Sequence, residues 1–213
     1  MAERVVVGLV GGIASGKTAV AEAFRDLGAT VVNADSEAHG VLELPRVRRA
    51  VKERYGRDVF SPNGKVDRAA LAARVFGSEK EVRFINRLVH PEVLKRMRLR
   101  LRGSGVRRPG AGRPRAREVV VIDAPLLMET GIDALCDHII FIRAPANARR
   151  RRTARDRRWP AGELSKREAF QISLKKKLEH ADFIVDNGTS LFNTRKQVEK
   201  LFRRIRFSAT ATT

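Results

Sequence analysis

The sequence predicts an α/β fold built on a five-stranded parallel sheet flanked by helices. Two observations carry that prediction. Five short runs rich in β-branched residues, Val5–Val10, Thr30–Asn33, Val119–Ile122, His138–Ile142 and Phe183–Val185, are continuous in their apolar character rather than alternating, as suits strands covered on both faces. Helical patterns separate them, and strands that alternate with helices imply parallel neighbours. At 213 residues the chain is sized for one domain, or for one domain with an insert.

Taken in order, the first run leads into a helix on which Val20, Phe24 and Leu27 share a face, with Gly28 as its C-terminal stop. After the second run, residues 41–117 are too many for a loop and read as a helical subdomain. In this insert Val47, Val51 and Tyr55 make one stripe, ending at Gly56. Asp67 is the expected N-cap of a helix carrying Leu71 and Val75, and Ser78 and Glu81 have capping-box spacing ahead of Val82, Ile85 and Val89. The pattern runs on through Leu94, Met97 and Leu101, with Pro91 expected to start a new helix or to kink the old one. Residues 102–117, RGSGVRRPGAGRPRAR, are expected to be mobile, as is the tail 207–213. After the fifth run, Ser190 is the expected cap of a last helix with Val198, Leu201 and Ile205 facing inward.

The chemistry begins at residues 11–18, GGIASGKT, which match G-x-x-x-x-G-K-[ST]. The match follows an apolar run and opens an amphipathic helix, the context this phosphate-binding loop requires. Gly11, Gly12, Ile13, Ala14, Ser15 and Gly16 would turn backbone N–H groups onto phosphate oxygens, and the helix start adds its dipole. Lys17 can reach the β- and γ-phosphates, and Thr18 offers a hydroxyl to Mg²⁺. The site is therefore read as one for ATP with Mg²⁺. No N-K-x-D guanine-reading motif is present, which argues against a GTPase, and the chain is short for an AAA-type ATPase. A small phosphotransferase fits the length best; such an enzyme needs an acceptor site and a lid that excludes water.

Composition narrows the partners. Lys+Arg is 44 against Asp+Glu 24, a formal charge of +20, which predicts a polyanion: nucleic acid, or a small substrate with several phosphates. Lys95–Arg117 holds many arginines and no acidic residue, yet it has no aromatic side chain to stack on bases, so nucleic acid is not expected. The single Cys136 excludes an internal disulfide framework and a multi-cysteine zinc site. The longest apolar runs are too short for a bilayer, and MAERVVVGLV, with Glu3, lacks the pattern of a signal peptide. A cytoplasmic protein is the expectation.

GLVGGIASGKTAVAEAF followed by NADSEAH resembles the start of the dephospho-coenzyme A kinase family. The resemblance continues in order through INRLVHPEV at 85–93, DAPLLMETG at 123–131, ARDR at 154–157, Gln171 and HADFIVDNG at 180–188, nearly the whole chain. It implies a P-loop kinase fold with a helical CoA-binding insert and a lid. The activity implied is transfer from ATP to the ribose 3′-hydroxyl of dephospho-CoA, the last step of coenzyme A synthesis. With it the chain divides into a core (1–40, 118–148 and 176–206), the insert 41–117 and a lid 149–175.

Candidate residues follow. Asp35 ends the second run, at the carboxyl edge where such sheets hold ligands; the resemblance makes it the general base, and a helix N-cap is its other reading. Asn33 stands where the family often has Asp. His39 lies four residues on, and His90 precedes Pro91; both are acceptor-binding candidates. Asp123 follows EVVVI, an arrangement that holds Mg²⁺ through water in P-loop proteins, or else it faces the acceptor; Glu129 is a further substrate-binding candidate. In the arginine-rich stretch 149–158, Arg151 and Arg155 share a helical face and match the family's lid arginines. They are the expected catalytic pair, with Arg149 also on ATP.

Overall fold

The computed structural model describes residues 4–75, 77–103 and 117–207. The strands are β1 (Arg4–Val10), β2 (Thr30–Asn33), β3 (Glu118–Asp123), β4 (His138–Arg143) and β5 (Phe183–Asp186), in the order β2-β3-β1-β4-β5, with every pairing parallel. The expected runs are all present, Thr30–Asn33 with the expected bounds and the others extended by a residue or two. β1 suits the central place because it is apolar from Val5 onward: Val5, Val6, Val7, Leu9 and Val10 are all buried.

The chain divides into two compact units, Met1–Asn33 with Arg108–Thr213, and Ala34–Arg107. In the first, α1 (Lys17–Asp26) and α9 (Leu191–Phe207) cover the sheet. Val20 and Phe24 of α1 and Val198, Leu201, Phe202 and Ile205 of α9 enter one core with Val7, Leu9, Val121 and Ile140. The Phe24 and Phe202 rings meet edge-to-face at 6.3 Å. Phe24 is fully buried, which contributes about 2–3 kcal/mol. Gly28 ends the α1 turn with φ 96°, a left-handed conformation that a side chain resists, so its N–H can reach the Arg25 carbonyl. Ser190 caps α9 as expected, its Oγ accepting from Asn193 N–H at 3.2 Å. After β4 come α6 (Ala146–Arg157), α7 (Glu163–Glu168) and α8 (Leu174–Glu179).

The second unit contains α2 (Ala34–Leu42), α3 (Pro45–Tyr55), α4 (Arg68–Val75) and α5 (Glu79–Gly103). It starts at Ala34, seven residues before the expected insert, because α2 packs along α5. Val41, Val47, Val51, Leu71, Val75, Val93 and Met97 are its core. Asp67 caps α4, its Oδ1 accepting from Ala69 and Ala70 N–H. Pro91 does not start a new helix: α5 runs through it, held by the buried stripe Val89, Val93, Met97 and Leu101 on both sides. The capping box expected at Ser78 and Glu81 needs correction. The Glu81 carboxylate serves an ion pair with Arg54 at 2.6 Å and a hydrogen bond from Tyr55 at 2.8 Å. Those partners hold Glu81 down to about 2, stronger company than a capping box offers. The loop expected to be mobile lies, from 104 to 116, outside the described residues, as does the tail 208–213.

Candidate active site

The phosphate loop connects β1 to α1 and is shaped by two glycines. Gly11 has φ 148°, and a Cβ there would lie 2.6 Å from the Ile142 carbonyl oxygen. Gly16 has φ 94° and would drive a Cβ into the Asn187 amide. Ala14 adopts φ 58° without a glycine's freedom, local strain of a kind found at ligand-binding turns. Behind the loop, Arg152 donates to the carbonyls of Ala14 (3.1 Å), Ser15 (3.2 Å) and Asn187 (2.9 Å). Asn187 Nδ2 donates to Ser15 O at 2.7 Å, and Thr194 Oγ1 donates to Asn187 Oδ1 at 3.0 Å. With its carbonyls tied back in this way, the loop is held in one shape. The Ser15 hydroxyl is fully buried with no partner.

At the start of α1, Lys17 Nζ donates to the Gly11 and Gly12 carbonyls, each at 3.1 Å. Burial first, then the charge of Lys177, lowers its pKa to about 8, against the attraction of Asp123 and Glu129. Thr18 Oγ1 donates to Asp123 Oδ2 at 3.2 Å. Asp123 ends β3 and is buried, which raises its pKa while the Thr18 hydrogen bond and Lys17 lower it. This is a hydroxyl and a carboxylate side by side at the mouth of an anion-binding loop.

Glu129 lies close enough to influence Lys17, but it is no exposed helix carboxylate. Its Oε1 forms an ion pair with Lys177 Nζ at 2.8 Å and accepts from Ile172 N–H at 3.0 Å, and its Oε2 is buried without a partner. Lys177 is 1% exposed and also donates to Gln171 Oε1 at 3.1 Å. Arg149 is buried, pairs with Glu168, and lies beside Gly12.

Arg151 and Arg155 share the exposed face of α6, Arg155 paired with Asp156 at 2.6 Å. Asp35 is the second residue of α2 in the second unit. His39, in the same helix, has Nδ1 3.4 Å from Arg68 Nη1. His90 is half-buried on α5, and burial lowers its pKa. Sequence reasoning passed over Arg152, Lys177, Glu168 and Thr194. Arg152 was one of a run of arginines, and Lys177 one of three consecutive lysines, so only the helix phase set by the fold singles them out.

The family model for dephospho-CoA kinase matches residues 5–193. The chain belongs to the dephospho-CoA kinase family. The family's reaction is the final step of coenzyme A biosynthesis, so the chain is a kinase. Among curated relatives, the dephospho-CoA kinase of Leifsonia xyli is 35% identical over 206 residues, 94% of this chain and 98% of that one. That of Bacillus licheniformis is 37% identical over 198 residues, 92% and 94% of the two chains. Among solved structures, TT1252 from Thermus thermophilus superposes with TM-score 0.78 at 24% identity, covering 97% of this chain and 100% of that one. Dephospho-CoA kinase from Campylobacter jejuni gives 0.66 at 22% identity, over 94% and 96%. At these identities the structures speak for the fold alone. Among the described residues no helix is long and apolar enough to cross a membrane.

Proposed function

We propose that this kinase moves the γ-phosphoryl group of ATP to the ribose 3′-hydroxyl of dephospho-CoA, in the cytoplasm. The observation that carries the reading is the grouping of Lys17, Thr18 and Asp123 at the mouth of a loop whose carbonyls are pinned from behind. Gly11–Thr18 grip the phosphates through backbone N–H groups. Lys17 leaves the Gly11 and Gly12 carbonyls for the phosphate oxygens, where its charge offsets the charge that develops on transfer. Thr18 and Asp123 suit Mg²⁺: they supply a hydroxyl and a buried carboxylate oxygen, the few hard donors that this ion takes besides phosphate and water. When bound there, Mg²⁺ would neutralise charge on the β- and γ-phosphates.

Asp35 is the proposed general base, orienting the 3′-hydroxyl and taking its proton. His39 and His90 are proposed to contact the acceptor. Arg149, buried against Gly12, is the arginine that the loop geometry favours for the donor phosphates; Arg151 and Arg155 are proposed for the transferring group once substrates bind. For Glu129 the Lys177 pair supports a supporting role beneath the site in place of direct substrate contact.

Two variants test these roles. Asp35→Asn should lower kcat by about 10²-fold or more with little change in ATP affinity. Thr18→Val should raise the Mg²⁺ concentration needed for half-maximal rate. An unchanged kcat in the first leaves Asp35 as a helix-terminal residue only. An unchanged Mg²⁺ requirement in the second removes Thr18 from the metal.

A further inference from the structure

Glu168, the last residue of α7, sends its carboxylate onto the phosphate loop. Its Oε1 accepts from Ile13 N–H at 3.3 Å, and Arg149 Nη1 donates to the same oxygen. A Cβ at Gly12 would lie 3.1 Å from that oxygen and 2.7 Å from Arg149 Nη1, so the ion pair rests directly on the bare glycine. Arg149 is 6% exposed, and its Nε has no partner. A buried guanidinium thus sits against the loop with one donor unused, tied at its other end to a carboxylate.

A loop that converges N–H groups draws anions. Here a carboxylate of the chain itself takes one of those N–H groups, and takes the arginine beside it. A triphosphate offers more acceptor oxygens and more charge than one carboxylate, and guanidinium groups match phosphate well. We propose that Glu168 is a positioning residue for the phosphoryl donor: it occupies the anion place at Ile13 and keeps Arg149 over Gly12 until the triphosphate takes both. The inference rests on reading the loop as the nucleotide-phosphate site. It makes Glu168 an internal competitor of ATP, one that also keeps Arg149 from straying into solvent.

Two substitutions separate this from simpler roles. Glu168→Gln keeps the size and the acceptor but removes the charge. Glu168→Asp keeps the charge but is a methylene too short to reach Ile13. The Glu168 side chain is 25% exposed, so neither change enters the core. Calorimetry on the full chain at fixed pH and salt gives Kd for ATP, inorganic tripolyphosphate and adenosine. Both variants are expected to bind ATP and tripolyphosphate about three- to tenfold more tightly, the scale of one net hydrogen bond no longer displaced, with adenosine unchanged. Tightening by the Gln variant alone would reduce the effect to long-range repulsion and overturn the proposal. Unchanged or weaker ATP binding in both variants would overturn it as well, because Glu168 would then not compete with the nucleotide for Ile13 and Arg149. Failure of the parent chain to bind either ATP or tripolyphosphate would strike at the loop assignment itself.

Discussion

Burial and the Lys177 charge hold Lys17 near 8, while the Gly11 and Gly12 carbonyls occupy its N–H groups. This has a consequence for nucleotide binding. With a pKa of about 8, Lys17 is largely neutral in the free protein at more alkaline pH, whereas adjacent phosphates favour the charged form. ATP binding at about pH 9 should therefore take up close to one proton, and at about pH 6.5 none through this residue. Calorimetry in buffers of differing ionisation enthalpy reads the uptake directly, and Lys17→Met should abolish it. Uptake that is the same in parent and variant would assign the proton elsewhere. Lys17→Ala should also abolish phosphoryl transfer with the fold intact, since the residue serves the loop and not the core. At this scale the loop was legible because G-x-x-x-x-G-K-[ST] fixes identities at fixed offsets, and each residue's task follows from its chemistry. Arg152 and Glu168 were not legible. Their partners are Ala14, Ser15 and Ile13, some 140 to 155 residues away in sequence.

Among elements, α8 carries the most consequential buried charge. Lys177 is enclosed with Glu129 and Gln171, joining the turn after β3 to the segment after α7. Removing one member leaves the other charge buried and unpaired, so Lys177→Met should cost about 3–5 kcal/mol of stability. Pairing it with Glu129→Leu should recover most of that loss. Urea denaturation of the two single variants and the double measures both; equal losses for single and double would mean that packing, and not charge, decides the site. The strands were readable because parallel strands buried on both faces leave continuous apolar runs, and β1, β3 and β4 are such runs. α2 was not, and Pro91 left two readings open. α2 has a weak apolar pattern and is helical through its packing on α5, and the buried residues flanking Pro91 outweigh one missing N–H.

Across the whole molecule, a net charge of +20 faces two polyanionic substrates. KM for both should rise with ionic strength while kcat changes little, as expected of attraction through a screened field. Deleting residues 103–115 and bridging the gap with a short flexible linker should leave kcat and KM near parental at moderate salt, because the segment is mostly Gly, Pro and Arg, with Val106 its one large apolar side chain, and carries no family motif. A many-fold fall in kcat with circular dichroism unchanged would put the segment in the active site. The charge by itself did not distinguish nucleic acid from a small phosphorylated substrate; the ordered motifs did. The central claim is the identity of the acceptor, and a panel tests it most directly. The purified kinase, with ATP and Mg²⁺, is offered dephospho-CoA, nucleoside monophosphates and RNA in parallel, with products identified by mass spectrometry and nuclear magnetic resonance. Dephospho-CoA should gain a phosphoryl group on its ribose 3′-oxygen, matched by an equal amount of ADP, with the other acceptors unchanged. Preferential transfer to a nucleoside monophosphate or to RNA, or ATP hydrolysis without coenzyme A, would contradict the account.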